Sequence, residues 1–317
     1  MLEQFLLAGL GLLILLLAGD VLVRGAVNLS LRLGIPALIV SLTIVAFGTS
    51  APELLISVQS VFEGVPGLAL GNVVGSNTAN VLLVLGVPAL MSCIDPSASD
   101  TRRSYLMMMV ASVAFIALAA TGVFGVWQAL VLLAGLAYIL GDQAREALAH
   151  SGQESAADDL EEADPDMPWW KIGLYLGLGI IGLPLGADLL VDSSVFIARA
   201  FGVSETVIGL TLVAIGTSLP ELATSVVAAM RRHADVALGN VIGSNIFNLL
   251  GIIGVAALFG PIPVDPTFFH IDFWVMLFAS LLLAPFVFAK RGIGRGLGAV
   301  FVLLYAAYLT LTLMGHG

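Results

Sequence analysis

Residues Leu42-Thr43-Ile44-Val45-Ala46-Phe47-Gly48-Thr49-Ser50-Ala51-Pro52-Glu53 return later in the chain as Leu210-Thr211-Leu212-Val213-Ala214-Ile215-Gly216-Thr217-Ser218-Leu219-Pro220-Glu221. Nine of the twelve positions are identical, at an offset of 168. The same offset relates Ala69–Asn80 to Ala237–Asn248, again with nine of twelve identical. Gly34 and Gly202, Gly86 and Gly254, and Asp20 and Asp188 keep it as well. One register held over this much sequence marks a duplicated unit rather than a short solenoid repeat.

The duplicated unit is strongly apolar. Of 317 residues, 59% are hydrophobic and 11% charged, and the mean hydropathy is +1.05. Ordinary soluble domains are about 25% charged, so a soluble globular enzyme is excluded. Disorder and nucleic-acid binding go with it, because the net charge is −10 and a basic surface is missing. At about 20 residues per membrane-spanning helix the chain has room for about ten spans. A single cysteine, Cys93, precludes an internal disulfide.

Apolar runs place five spans in the first half, at roughly 4–24, 37–62, 69–91, 104–122 and 124–141. Their partners fall near 170–192, 205–230, 237–259, 271–290 and 292–314. Five is odd, so the second half enters the membrane upside down relative to the first, as in many secondary transporters. The expected fold is an all-α polytopic membrane protein. Its ten transmembrane helices form two inverted five-helix repeats, residues 1–141 and 169–317, with broken second and seventh helices.

Residues 142–168 hold nine acidic residues and one basic one, a local charge of −8, and read as an acidic linker and solvated tether. Arg24, Arg32, Arg102, Arg103, Arg145, Lys171, Arg231, Arg232, Lys290, Arg291 and Arg295 share one side of this topology, and Arg199 alone lies on the other. Basic loops stay in the cytoplasm. The linker is therefore expected to be cytoplasmic and both termini outside, in a cytoplasmic (inner) membrane. The first span carries Glu3 where a signal peptide would be basic, and it has a duplicate after Trp169, so it reads as a mature helix.

Ionisable side chains inside a bilayer are costly and mark function. Glu53 and Glu221 lie inside otherwise uncharged apolar spans, each after Gly-Thr-Ser-x-Pro. Glycine and proline in mid-span break the helical ladder and free carbonyls, which is tolerated where they line a cavity. Carboxylates, hydroxyls, amides and carbonyls are hard oxygen ligands, suited to Ca²⁺, Na⁺ or Mg²⁺ rather than Zn²⁺. Nitrogen and sulfur ligands are missing from the spans, since His150, His233, His270 and His316 fall in loops or at the terminus. Gly71-Asn72-Val73-Val74-Gly75-Ser76-Asn77-Thr78-Ala79-Asn80 and its duplicate Gly239-Asn240-Val241-Ile242-Gly243-Ser244-Asn245-Ile246-Phe247-Asn248 supply further oxygen ligands. Ser76 and Asn80 share one helix face, as do Ser244 and Asn248. The glycines let that face approach a neighbouring broken helix.

These four motifs in register resemble the α-repeats of the cation/Ca²⁺ exchanger superfamily, and within it the prokaryotic sodium/calcium exchangers (calcium/sodium antiporters). The resemblance covers essentially the whole chain. It implies ion sites between the second, third, seventh and eighth helices, and Ca²⁺ and Na⁺ as transported substrates. By the same resemblance Glu53 and Glu221 are the central Ca²⁺ ligands, with the carbonyls of Thr49 and Thr217. Ser50, Ser218, Ser76 and Ser244 help form Na⁺ sites, with the carbonyls of Ala46 and Ala214, and Asn80 and Asn248 occupy the site positions of the third and eighth helices. Some relatives carry aspartate at the position of Asn248; with asparagine the site holds at most two formal charges. The implied activity is secondary active antiport by alternating access, not enzymatic catalysis. No resident cofactor, nucleic acid or obligate protein partner is expected.

Proton-coupled Ca²⁺ exchange is the nearest alternative, and a passive cation channel and a membrane-embedded hydrolase are alternatives of other classes. A hydrolase needs a base beside a serine, and no histidine lies in a span. Gly177-Leu178-Gly179-Ile180-Ile181-Gly182 matches a dinucleotide fingerprint but sits inside a span, where helix packing explains it. Asp20, Asp188 and Asp192 read as solvated helix ends.

Overall fold

A computed structural model describes residues 1–95, 101–150, 164, 166–202 and 214–315. Within a bilayer the backbone must satisfy its own hydrogen bonds, and the apolar runs accordingly fold as helices. In chain order they are α1 (Leu2–Leu33), α2 (Ala37–Thr49), α3 (Ala51–Phe62), α4 (Pro66–Met91), α5 (Arg102–Ala119) and α6 (Val126–His150). Then follow α7 (Trp169–Ala200), α8 (Leu219–Met230), α9 (Ala234–Phe259), α10 (Pro266–Ala289) and α11 (Arg295–Gly315).

Among the described residues, eight helices are each long and apolar enough to span a membrane, and the bent pair α2–α3 makes a ninth span. The expected seventh span at 205–230 is represented by Ala214–Gly216 and α8; its first part, 205–213, lies outside the described residues. Most of the acidic tether, residues 151–163 and 165, lies outside them too.

Three helices run past their expected ends. α1 continues past Arg24 to Leu33, and α7 past Asp188 and Asp192 to Ala200. In α1 the charges do not end the helix because Asp20 and Arg24, four residues apart, pair with each other at 3.0 Å. The helix stops at Gly34, whose φ of 64° is left-handed and lets the next turn return its N–H groups to Leu31 and Ser30. α6 likewise runs beyond residue 141 to His150, and Arg103 of α5 pairs with both Asp142 and Glu146 on it.

α4 and α9, related by the offset of 168, are the central pair. Of their spans 78% and 83% are buried, against 33% and 22% for α1 and α7. Around them one large apolar cluster joins α5, α6, α10 and α11. α1 and α7 form a second cluster through Leu15, Ala18, Leu22, Ile172 and Leu183, which Val40 and Val45 of α2 and Ala223 of α8 join. Their outer faces present Leu6, Leu13, Leu17, Ile181 and Leu185, as a bilayer-facing surface requires.

Small residues bring α1 and α7 into backbone contact. A Cβ on Gly186 would lie 2.9 Å from the Leu15 nitrogen and 3.0 Å from the Gly11 carbonyl, and one on Gly179 would lie 2.5 Å from the Leu22 Cβ. Gly179 and Gly182, two of the three glycines of the apparent dinucleotide fingerprint, are therefore packing positions against α1.

Two short β-contacts stitch the halves together. β1 (Val123–Phe124) pairs antiparallel with β2 (Ile262–Pro263), and Ile94 exchanges both backbone hydrogen bonds with Ile293 at 3.1 and 2.8 Å. Ile94 and Ile262 are themselves repeat partners, so each half contributes the same loop to a clasp with the other.

Gly186→Leu is expected to lower the thermal midpoint of the detergent-solubilised protein by several degrees, since overpacking costs about 1–3 kcal/mol. Gly177→Ala on the same helix, where nothing lies within 4 Å, is expected to leave it unchanged.

Candidate ion-binding site

The site is built at the break between α2 and α3. Pro52 lacks an N–H, so the Gly48 carbonyl loses its partner four residues on. The chain bends by 44° there. Ser50, at φ −86° and ψ 7°, leaves helical geometry, and α3 restarts with Glu53 in its first turn. The second half repeats this: Ser218 adopts φ −89° and ψ 5°, and α8 restarts with Pro220 and Glu221 in its first turn. Each carboxylate thus sits at a helix N-terminus, where unpaired N–H groups and the helix dipole favour negative charge.

Both glutamates are buried, 1% and 0% exposed, and so are Thr49, Ser50, Ser76, Asn80, Ser218, Ser244 and Asn248. Thr217 is partly buried, and Ala214 lies in the turn just before the break. The expected residues on α2, α3, α4, α8 and α9 are thus withdrawn from the surface, and Ser50 and Glu221, from different halves, are in direct contact. The Ala46 carbonyl accepts from the Ser50 N–H at 3.1 Å and lies 3.3 Å from Thr49 Oγ1, whose one proton it shares with Asn240 Oδ1.

Asn72 and Asn240, absent from the residues singled out in the sequence, hold the frame. Asn72 Nδ2 donates to the Glu53 carbonyl at 3.3 Å and to Ser57 Oγ at 3.2 Å. Asn240 Nδ2 donates to the Glu221 carbonyl at 3.3 Å and to Ser225 Oγ at 3.3 Å. Every residue in the second set is its counterpart plus 168, so the structure repeats the contact as well as the sequence. Both asparagines stand inside the repeated blocks, and the repeat itself was the signal that could have found them.

Other bonds cross between halves. Ser50 Oγ donates to Glu221 Oε1 at 2.9 Å, and Thr49 Oγ1 to Asn240 Oδ1 at 3.2 Å. Asn80 Nδ2 donates to Asn245 Oδ1 at 3.1 Å, and Asn245 Nδ2 to the carbonyl of its own repeat partner Asn77 at 3.4 Å. The glycines of α9 permit this closeness: a Cβ on Gly243 would lie 2.5 Å from the Leu42 carbonyl of α2, and one on Gly239 2.9 Å from the Ser41 Cβ. Widened π-helical turns follow at Asn80–Val84 and Phe247–Ile252, another repeated feature, of a kind frequent at functional sites.

Several buried oxygens have no protein partner. They are both carboxylate oxygens of Glu53, Glu221 Oε2, the hydroxyls of Ser76, Ser218 and Ser244, and the amide oxygens of Asn80 and Asn248. Burying such groups unsatisfied costs about 1–3 kcal/mol each, and more for a carboxylate. The donor set is oxygen alone. Among the described residues there is no cluster of three or more His, Cys, Asp or Glu side chains. The arrangement suits a hard cation that enters and leaves better than a resident transition metal.

Comparison with known proteins agrees with this geometry. Residues 3–141 and 171–314 match the family described as sodium/calcium exchanger protein. The chain is 35% identical over 308 residues to the putative antiporter CaxA of Alkalimonas amylolytica, covering 94% of this chain and 95% of that one. It is 34% identical to the sodium/calcium exchanger MaX1 of Methanosarcina acetivorans, covering 97% and 98% of the two chains. The inner membrane protein YrbG of Escherichia coli is 34% identical, with 92% and 90% covered. A solved structure of the sodium-calcium exchanger NCX_Mj, soaked with Na⁺ and Sr²⁺, superposes with a TM-score of 0.80 at 32% identity and 97% coverage of each chain. Duplicated broken helices, an oxygen-lined buried site and full-length similarity converge: this chain is a multi-pass membrane protein of the sodium/calcium exchanger family, a family of transporters rather than enzymes.

Proposed function

We propose that the protein exchanges Ca²⁺ for Na⁺ across the cytoplasmic membrane by alternating access. The observation that carries this is the buried, oxygen-only cluster around Glu53 and Glu221, to which both halves contribute. A cation in contact with both carboxylates satisfies oxygens that the protein leaves without partners. Ca²⁺ and Na⁺ draw on overlapping members of that set, so binding one excludes the other and couples the two fluxes. An empty site is costly to enclose, because two uncompensated carboxylates would be closed off from water together, and this discourages leak.

In this reading Glu53 and Glu221 are the shared Ca²⁺ ligands, with the carbonyls of Thr49 and Thr217. Ser50, Ser76, Ser218 and Ser244, with the carbonyls of Ala46 and Ala214, contribute to Na⁺ sites, and Asn80 and Asn248 supply neutral amide oxygens. Asn72 and Asn240 position the two glutamates by holding the first turns of α3 and α8. Two formal charges are balanced by one Ca²⁺ or by two Na⁺. The Arg-rich face is cytoplasmic and both termini are outside, which the basic-residue asymmetry supports.

Ca²⁺ uptake by membrane vesicles under an outward Na⁺ gradient is expected to persist when the pH gradient is collapsed; its loss would transfer the coupling to protons. Glu53→Gln and Glu221→Gln are each expected to reduce Ca²⁺ exchange at least about 100-fold while the protein still folds, since one buried carboxylate would face the divalent ion alone. Displacement of bound Ca²⁺ by Na⁺ is expected with a Hill coefficient of about two, rising toward about three in Asn248→Asp, because added buried charge calls for an added cation. Failure of Na⁺ to compete at all would refute sodium coupling.

A further inference from the structure

α1 packs on α7 along one face and meets α8 and α9 on another, where Val23 and Val27 lie against Val227, Ala228 and Val236. A Cβ on Gly19 would lie 3.3 Å from the backbone of Ala223 in α8. Beside it, the Asp20 carboxylate pairs with the guanidinium of Arg231, the residue that follows the C-terminus of α8. Arg24, one turn further along α1, lies 3.0 Å from the same carboxylate. The Arg231 and Asp20 side chains are only 19% and 25% exposed, so solvent screens the pair incompletely. Arg231 also stands at the negative end of the α8 dipole, which steadies its charge there. α8 carries Glu221 at its other end, so the ion pair ties α1 to the helix that holds a central carboxylate.

The repeat supplies an internal control. The offset of 168 sends Asp20 to Asp188, Arg24 to Asp192 and Arg231 to Glu63. The three positions at which one carboxylate holds two guanidinium groups on the Arg-rich face are all carboxylates on the opposite face. Glu63 is satisfied within its own helix, where Gln59 Nε2 donates to it at 2.6 Å. In a carrier of inverted repeats the two access states rest on corresponding contacts of the two halves. Among the described residues, these corresponding positions pair opposite charges on the Arg-rich face and set like charges on the other.

We infer that Asp20 and Arg231 form a latch that closes the Arg-rich face and biases the protein toward the state open on the opposite face. They are positioning residues: they touch no transported ion and act through the seating of α1 on α8. The inference rests on the alternating-access reading above.

The test is the apparent Ca²⁺ affinity at each face of proteoliposomes, with a protease-cleavable N-terminal tag reporting which face is outward. A binding-competent state that is populated more often raises apparent affinity in proportion. Arg231→Gln is expected to raise the affinity at the Arg-rich face relative to the other by about two- to fivefold, the range of exposed to partly buried pairs. Arg231→Lys is expected to retain the wild-type ratio. Glu63→Arg, which places a cation among the opposite carboxylates, is expected to move the ratio the other way, and it decides the matter if Arg231→Gln does not fold. An unchanged ratio in Glu63→Arg and Arg231→Gln, or equal changes at both faces, overturns the latch. Absence of Ca²⁺ flux in the wild-type protein would instead remove the exchanger reading on which it rests.

Discussion

Two carboxylates held out of water inside an apolar scaffold are the constraint around which the molecule is organised. A charged side chain at bilayer depth costs at least about 2.5–3.5 kcal/mol, and two of them facing one site cost more. The protein meets that cost in three ways. Each glutamate lies in the first turn of a helix, Ser50 donates a hydrogen bond from the other half to Glu221, and asparagines clamp the backbone of both first turns. What is left unsatisfied is a set of oxygens with cation-binding chemistry. Breaking α2 from α3 with Pro52 weakens a helix locally, and that weakness is what lets Glu53 take an N-terminal position in mid-membrane.

Burial follows from the same demand. α4 and α9 carry the polar stripes Asn72–Asn80 and Asn240–Asn248, and they occupy the centre because those side chains have to be kept from lipid. The helices with no polar stripe stand outside. α1 and α7 are joined to one another more closely than to anything else, through glycines that only another backbone can fill. Where α1 lies on α8 and α9, the contact surface is built of small side chains, Val23, Val27, Val227, Ala228 and Ala237. The Asp20–Arg231 pair crosses that surface.

Much of the architecture was legible because the chain was written twice. The repeat at an offset of 168 located the apolar runs and the two blocks of polar residues within them, and the structure buries Glu53, Ser76, Asn80 and their partners. Helix ends were less legible. α1 and α7 run on past charged residues, and nothing in an apolar count reveals that Asp20 is neutralised by neighbours or that Arg103 reaches two carboxylates on α6. The aspartates read as solvated helix ends include one that is paired and withdrawn from solvent.

The sequence by itself determined the membrane class, the duplication and the oxygen chemistry of the site, since hydropathy, register and residue type are local properties. Tertiary structure alone decided which oxygens keep company. The bond from Ser50 to Glu221 joins residues 171 positions apart, and that from Asn80 to Asn245 joins residues 165 apart. The different fates of corresponding residues on the two faces are of the same kind. A repeat predicts equivalent positions, but the charge at each position and the partner across the gap decide whether the contact attracts. That requires both halves to be seen at once, because a Coulomb interaction depends on distance in space and not on distance along the chain.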